Sequence, residues 1–358
     1  MLTKQQIQVH ALFTVCIVGL LPLRVEACPV CMALPTKTAA DEVTLSETIV
    51  FAREDPDHPF CFTAVELLKG DAVVGDIDLF VDSYTRRQLK ANPSYVVVLA
   101  RTTGGAPWQS IGVADADFKT VIRRIVTFAD GWAVASGPNK RYEFFLPLLG
   151  HKNPAIFELA YLELGRAPYS VIKKIASFVS RDELRPLLHQ REYIKWRSLA
   201  ILLLAQDASA ADRDLIVDSF NGCQRFGSAT NLSAWSTAYI EVDEVQAVQA
   251  IEDKYLRDPK RTEAEIRAVI TALSVHGRSG HTHLRDRITR GYGAALANHP
   301  VVAGQIAKDL RDWQKWEYQE DINQLLSRPN IKFEMLEEKA IESYLRSKTL
   351  RTIGIERE

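Results

Sequence analysis

The sequence predicts an α+β, multidomain chain: a short-stranded β unit, then an all-helical tail. Three observations carry this. From Val43 to about Val113 apolar residues alternate at period two. At "DADFKTVIRRIV" the period changes, with Phe118, Val121, Ile122 and Ile125 on one helical stripe. After Pro138, residues such as Pro, Gly and Asn separate apolar-faced helical segments.

Residues 1–27 read as a secretory signal. Lys4 charges the leading stretch, Ala11 to Leu23 form an uncharged apolar run, and Val25-Glu26-Ala27 offers small residues for cleavage. The run is about 13 residues, too short to cross ~30 Å of hydrocarbon as a lasting span; an uncleaved anchor is the competing reading. Cleavage removes Cys16 and leaves Cys28, Cys31, Cys61 and Cys223. An even count in an exported chain permits disulfides but does not choose among the pairings. The 44 basic and 45 acidic residues are interspersed, which gives no electrostatic reason to expect nucleic acid or an anionic membrane as partner.

The β unit is expected over residues 28–137. "FCFTAVELLKG" sets Phe60, Phe62 and Ala64 against Cys61, Thr63, Val65 and Leu67, and "IDLFV" sets Ile77, Leu79 and Val81 against Asp78 and Phe80. "SYVVVLAR" is β-branched throughout, as in a strand buried on both faces. Turn-rich "REDPDHP" and "RTTGGAPWQS" join such runs, which argues a small barrel or sandwich. The tail is expected over 138–350. Phe157, Ala160, Tyr161 and Leu164 follow buried helical spacing, and Ser209 and Asp212 suit a helix start. Helix pairs of roughly 35–45 residues have the period of a HEAT-like α-solenoid, with an irregular helical domain as the alternative.

The β unit resembles netrin-like domains, the OB-type barrel of tissue inhibitors of metalloproteinases. The matching features are Cys28 as a mature amino-terminal cysteine with Cys31 close by, the strand "ADEVTLSETIVFARE", "FTAVELLKGD" with its Leu-Lys-Gly ending, and "YVVVLAR". The segment "FLPLLGHKNPAIFELAYLEL" looks like the HEAT-like tails that follow such barrels in exported proteins of some environmental bacteria. The resemblance implies a periplasmic, outer-membrane-associated or extracellular protein. It also implies that the α-amine and carbonyl of Cys28 chelate a protease's zinc. The sequence departs from that family by placing two residues rather than one between Cys28 and Cys31.

Four chemistries compete at Cys28. Cys28 or Cys31 bonded to Cys61 would staple the terminus to the barrel. Val25-Glu26-Ala27-Cys28 is an imperfect lipobox, so once the signal is cleaved a lipid on Cys28 is the only membrane anchor the sequence suggests. Cys28-Pro-Val-Cys31 resembles a thiol-disulfide oxidoreductase motif but has no preceding strand. A metal site there lacks a second ligand pair. Elsewhere, "VHGRSGHTHLRDR" offers His281 and His283, with Asp286 as the first further ligand for zinc or copper, and His276 nearby; a polar loop is the plain alternative. Trp313 and Trp316 would share a helix face, as core or as an aromatic binding face. "EVDE" at Glu241 to Glu244 reads as a solvated loop or first helical turn. No nucleotide loop, nucleophile elbow or zinc helix is present, so no cofactor is expected. The expected function is non-catalytic binding or scaffolding of protein or glycan partners. Metalloprotease inhibition through Cys28 is the alternative, and thiol chemistry at Cys28 and Cys31 the third.

Overall fold

The computed structural model describes residues 30, 37–71, 77–103, 106–132 and 137–352. Helix α1 (Ala39–Leu45) leads into a curled, antiparallel five-stranded sheet: β1 (Thr48–Glu54), β2 (Cys61–Lys69), β3 (Ile77–Phe80), β4 (Val96–Arg101) and β5 (Gln109–Ala114). Helix α2 (Ser83–Ala91) joins β3 to β4, and α3 (Ala116–Phe128) follows β5. The spatial order β3-β2-β1-β4-β5 contains the Greek-key arrangement, because β4 returns to lie beside β1.

Alternation along the two central strands explains why the sheet is covered on both sides. Ile49, Phe51, Val96, Val98 and Ala100 share one face and pack in the same core as the α3 stripe of Phe118, Val121, Ile122 and Ile125. Val50, Ala52, Val97 and Leu99 share the other, with Phe62, Ile77, Val81, Leu89 of α2 and Trp108. The β-branched run of β4 is therefore buried on both faces, as its composition requires. Strand β2 departs from simple alternation. Its register on β1 shifts between Phe51 and Ala52, so Val65 has no partner there; such a bulge turns the next side chains over. Val65 and Leu67 are exposed as a result.

From residue 137 the described chain is helical: α4 (Gly137–Phe145), α5 (Pro154–Gly165), α6 (Tyr169–Ile175), α7 (Arg181–His189), α8 (Arg197–Ala205) and α9 (Ala210–Phe226). Then come α10 (Leu232–Ile251), α11 (Glu263–Arg278), α12 (Arg285–Asn298), α13 (Ala303–Asp312), α14 (Gln319–Leu326) and α15 (Met335–Thr352). No strand follows Ala114 among the described residues. Side chains set the boundaries locally: Ser209 caps α9 in a reciprocal capping box with Asp212, and Thr262 does the same for α11 with Glu265. No helix among the described residues is long and apolar enough to cross a membrane.

One apolar core runs from the α3 side of the sheet into α4–α8. Trp132 meets Phe144 and Phe145 with ring centroids 5.5 and 5.9 Å apart, and Asn153, which caps α5, donates to Asp115, the cap of α3, at 2.6 Å. A buried ionic cluster reinforces this junction. Arg141 of α4 donates to Glu163 of α5 through Nε (2.7 Å) and Nη2 (2.9 Å), and to Asp41 of α1 at 2.6 Å. Thr38, the cap of α1, donates to Glu163, and Arg166 pairs with Asp41. Burial alone would raise the Asp41 pKa, but Arg166, the Thr38 amide and Arg141 outweigh it and hold the carboxyl below its ordinary range.

A second core joins α9–α15. Trp313 stacks on Tyr292 of α12 (centroids 5.7 Å, 13° between planes), and Trp316 stacks on Tyr344 of α15 (5.3 Å, 18°). Helix α13 ends before Trp313, and Gln314 takes a positive φ of 59°. The helix face expected to present both tryptophans is therefore not formed; one is buried, the other half-buried, and both pack helices together.

Candidate metal centre

Helices α10 and α11 place a carboxylate–imidazole cluster at the level of α6. Glu241, on α10, and Glu244, at the kink that interrupts it, both face His281. His276 sits in the last turn of α11. The chain then wraps over the helix end, where the Ser279 and Gly280 amides both donate to the Val275 carbonyl (3.0 and 3.2 Å), and returns carrying His281 and His283. Two triplets result, Glu241–His276–His281 and Glu244–His281–His283, each with its donor atoms within 4.8 Å of one another.

The first triplet is interior. His276 is fully buried, and its Nε2 lies 2.8 Å from the Thr237 carbonyl. That carbonyl can only accept, so Nε2 carries the proton and Nδ1 presents a lone pair. Among the described residues Nδ1 is buried with no hydrogen-bond partner, as is His281 Nε2, which lies 3.4 Å from Glu241 Oε1. Burial drives the His276 pKa down to about 4, so the ring is a neutral donor at pH 7. The His276 and His281 rings stack with centroids 5.3 Å apart. Gly280 completes the cradle, because a Cβ there would collide with His276 Nδ1.

Glu241 is also held by α6 and Gln206. Tyr169 donates to Oε2 at 2.8 Å, Gln206 donates to the Tyr169 hydroxyl at 3.1 Å, and Lys173 Nζ lies 2.7 Å from Oε1. Burial alone would raise the Glu241 pKa; Lys173 and Tyr169 outweigh it and keep the carboxyl below its usual range. The second triplet opens to solvent: His283 Nε2 lies 2.9 Å from Glu244 Oε2, and His281 Nδ1 lies 3.7 Å from Glu244 Oε1. Glu244 itself breaks the helix with φ 42° and ψ −109°. A non-glycine residue there is strained by about 1–3 kcal/mol.

The donors suit a transition-metal ion. Two imidazoles and one carboxylate form a three-donor set that leaves coordination positions open, as in catalytic zinc and non-haem iron sites. A His276 ring fixed through its other nitrogen to a backbone carbonyl is the usual outer-shell support of a metal-bound histidine. Donors about 2.1 Å from one tetrahedral ion lie about 3.4 Å apart; His281 Nε2 and Glu241 Oε1 are already at 3.4 Å, and no pair in the first triplet exceeds 4.8 Å.

His281 and His283 are thus brought together as expected, but Asp286 is not. It lies on the first turn of α12, exposed, with Lys315 Nζ 2.6 Å away. Its place is taken by Glu241 and Glu244, whose stretch lies within α10 up to the kink at Glu244 rather than in a solvated loop or first helical turn. No local pattern announced this, since the partners are about 35 residues apart; the only signal was the pairing of "EVDE" with "VHGRSGHTH". Cys28 and Cys31 lie outside the described residues, and the staple, lipid, zinc-chelating and redox readings of the terminus lie there with them. Cys61, on β2 and half-buried, and Cys223, buried, are not bonded to each other or to any other cysteine among the described residues. Comparison of the chain with protein-family models, curated proteins and solved structures found no match.

Proposed function

We propose that this is an exported binding protein that holds a transition-metal ion between Glu241, His276 and His281. One observation carries the reading: the buried Nδ1 of His276, without a hydrogen-bond partner among the described residues and within 4.8 Å of donor atoms on His281 and Glu241. A buried polar atom without a partner is costly, and coordination would satisfy it. The open positions of such an ion suit a donor group from a protein or glycan partner, in keeping with a non-catalytic role. We further read the sheet as a netrin-like, OB-type head and the tail as a HEAT-like stack. The Greek-key order with a helix between β3 and β4 supports the first; consecutive helices sharing continuous cores support the second.

The test is calorimetric titration of the metal-stripped full chain with Zn²⁺, alongside a thermal melt. Saturable binding is expected, with stabilisation of about 2.7 kcal/mol at a hundredfold excess over Kd. His281→Ala should abolish both. Absence of Zn²⁺ binding, or binding untouched by His281→Ala, would overturn the proposal.

A further inference from the structure

We infer that His281 bridges two metal ions, its Nε2 serving the buried triplet and its Nδ1 the exposed one. The inference rests on the metal-binding reading above and adds a second ion to it. The two ring nitrogens face different carboxylates: Nε2 lies 3.4 Å from Glu241 and Nδ1 3.7 Å from Glu244. One imidazole therefore stands between two sets, each completed by its own histidine, His276 on one side and His283 on the other. The His276 ring is nearly parallel to His281 (15°) and the His283 ring nearly perpendicular (85°).

The kink in α10 gives independent support. A straight helix would carry Glu244 onward with ordinary φ and ψ; the strained conformation is found at the residue whose carboxylate meets both His281 and His283. Strain of this kind is retained where a function uses it. Charge is largely offset, to a net +1. Loading both sites makes His281 an imidazolate, its ring proton leaving to solvent, so two divalent cations face two carboxylates and one imidazolate. Lys173, whose ammonium neutralises Glu241 beside the interior site, has a partly exposed side chain and can swing away as the ion enters.

Copper separates the outcomes, because two Cu²⁺ ions joined by an imidazolate couple magnetically and lose EPR intensity. The untagged, metal-stripped full chain is titrated with Cu²⁺ alone, and bound copper is compared with the EPR spin count. Two Cu²⁺ per chain with a spin count well below two are expected. His283→Ala, at an exposed position that leaves the fold undisturbed, should bind one Cu²⁺ with its full spin count. Glu241→Gln should lose the interior ion and the coupling together, with circular dichroism confirming its fold. One ion in the wild-type chain, or two with undiminished intensity, overturns the bridge while leaving single-ion binding standing. No bound copper overturns both.

Discussion

Removing Glu163 tests whether the sheet and the helical tail form one cooperative body. The residue is 1% exposed and accepts two hydrogen bonds from Arg141 and one from Thr38. Glu163→Leu deletes all three and leaves Arg141, whose side chain is 19% exposed, with Asp41 alone. Breaking a buried pair from one side costs about 3–5 kcal/mol. The surviving Asp41 contact and the partial exposure of Arg141 place the expected loss near the lower end, about 3 kcal/mol. The assay is urea unfolding of the full chain, followed by tryptophan fluorescence and far-ultraviolet circular dichroism. The two probes should give one shared transition, moved to lower urea with an unchanged slope. Adding Arg141→Met removes the orphaned cation and should restore at least half of the loss. A loss under about 1 kcal/mol, the range of a solvent-exposed pair, would refute the reasoning.

Other outcomes follow from single contacts. Gly277→Ala places a Cβ 2.7 Å from Trp313 Cε2 and closer still to the ring edge; we expect a loss of about 2 kcal/mol or more in urea, and an unchanged midpoint would mean that Trp313 yields freely. Asp41 has a depressed folded-state pKa, so its stabilisation is present above the unfolded value of about 3.9 and lost as pH falls through the lower folded value. The stability gap between wild type and Asp41→Asn should accordingly narrow below about pH 4, and a gap constant with pH contradicts the assignment. At Glu244, glycine relieves a backbone that alanine inherits, so Glu244→Gly should unfold at higher urea than Glu244→Ala by about 1 kcal/mol. Equal midpoints would remove the case for strain.

Much of the architecture was legible because it is local. The β-branched run of β4, the α3 stripe, the Ile77-Leu79-Val81 alternation and the Ser209 cap each follow from neighbours a few residues away. Strand β2 was legible only in part, because a bulge arises from its pairing with β1 rather than from its own residues. The site was less legible still. His281 and His283 advertise themselves, but Asp286, the nearest carboxylate in sequence, faces Lys315, whereas the carboxylates that count come from another helix. Trp313 and Trp316 were legible as packing residues but not as one face, because helical spacing implies a shared face only if the helix continues, and α13 stops first.

The tie between Thr38 and Glu163 spans 125 positions. A ribosome adding about 5–20 residues per second needs on the order of 10 s to supply the second partner after the first. Through the later part of that interval, once β5 and α3 are made, the apolar core they share still lacks α4 and α5 and is open to any neighbour. A chain built this way depends during its birth on a holding factor or on slow collapse, and conditions that hurry synthesis past that point should raise its yield of soluble product.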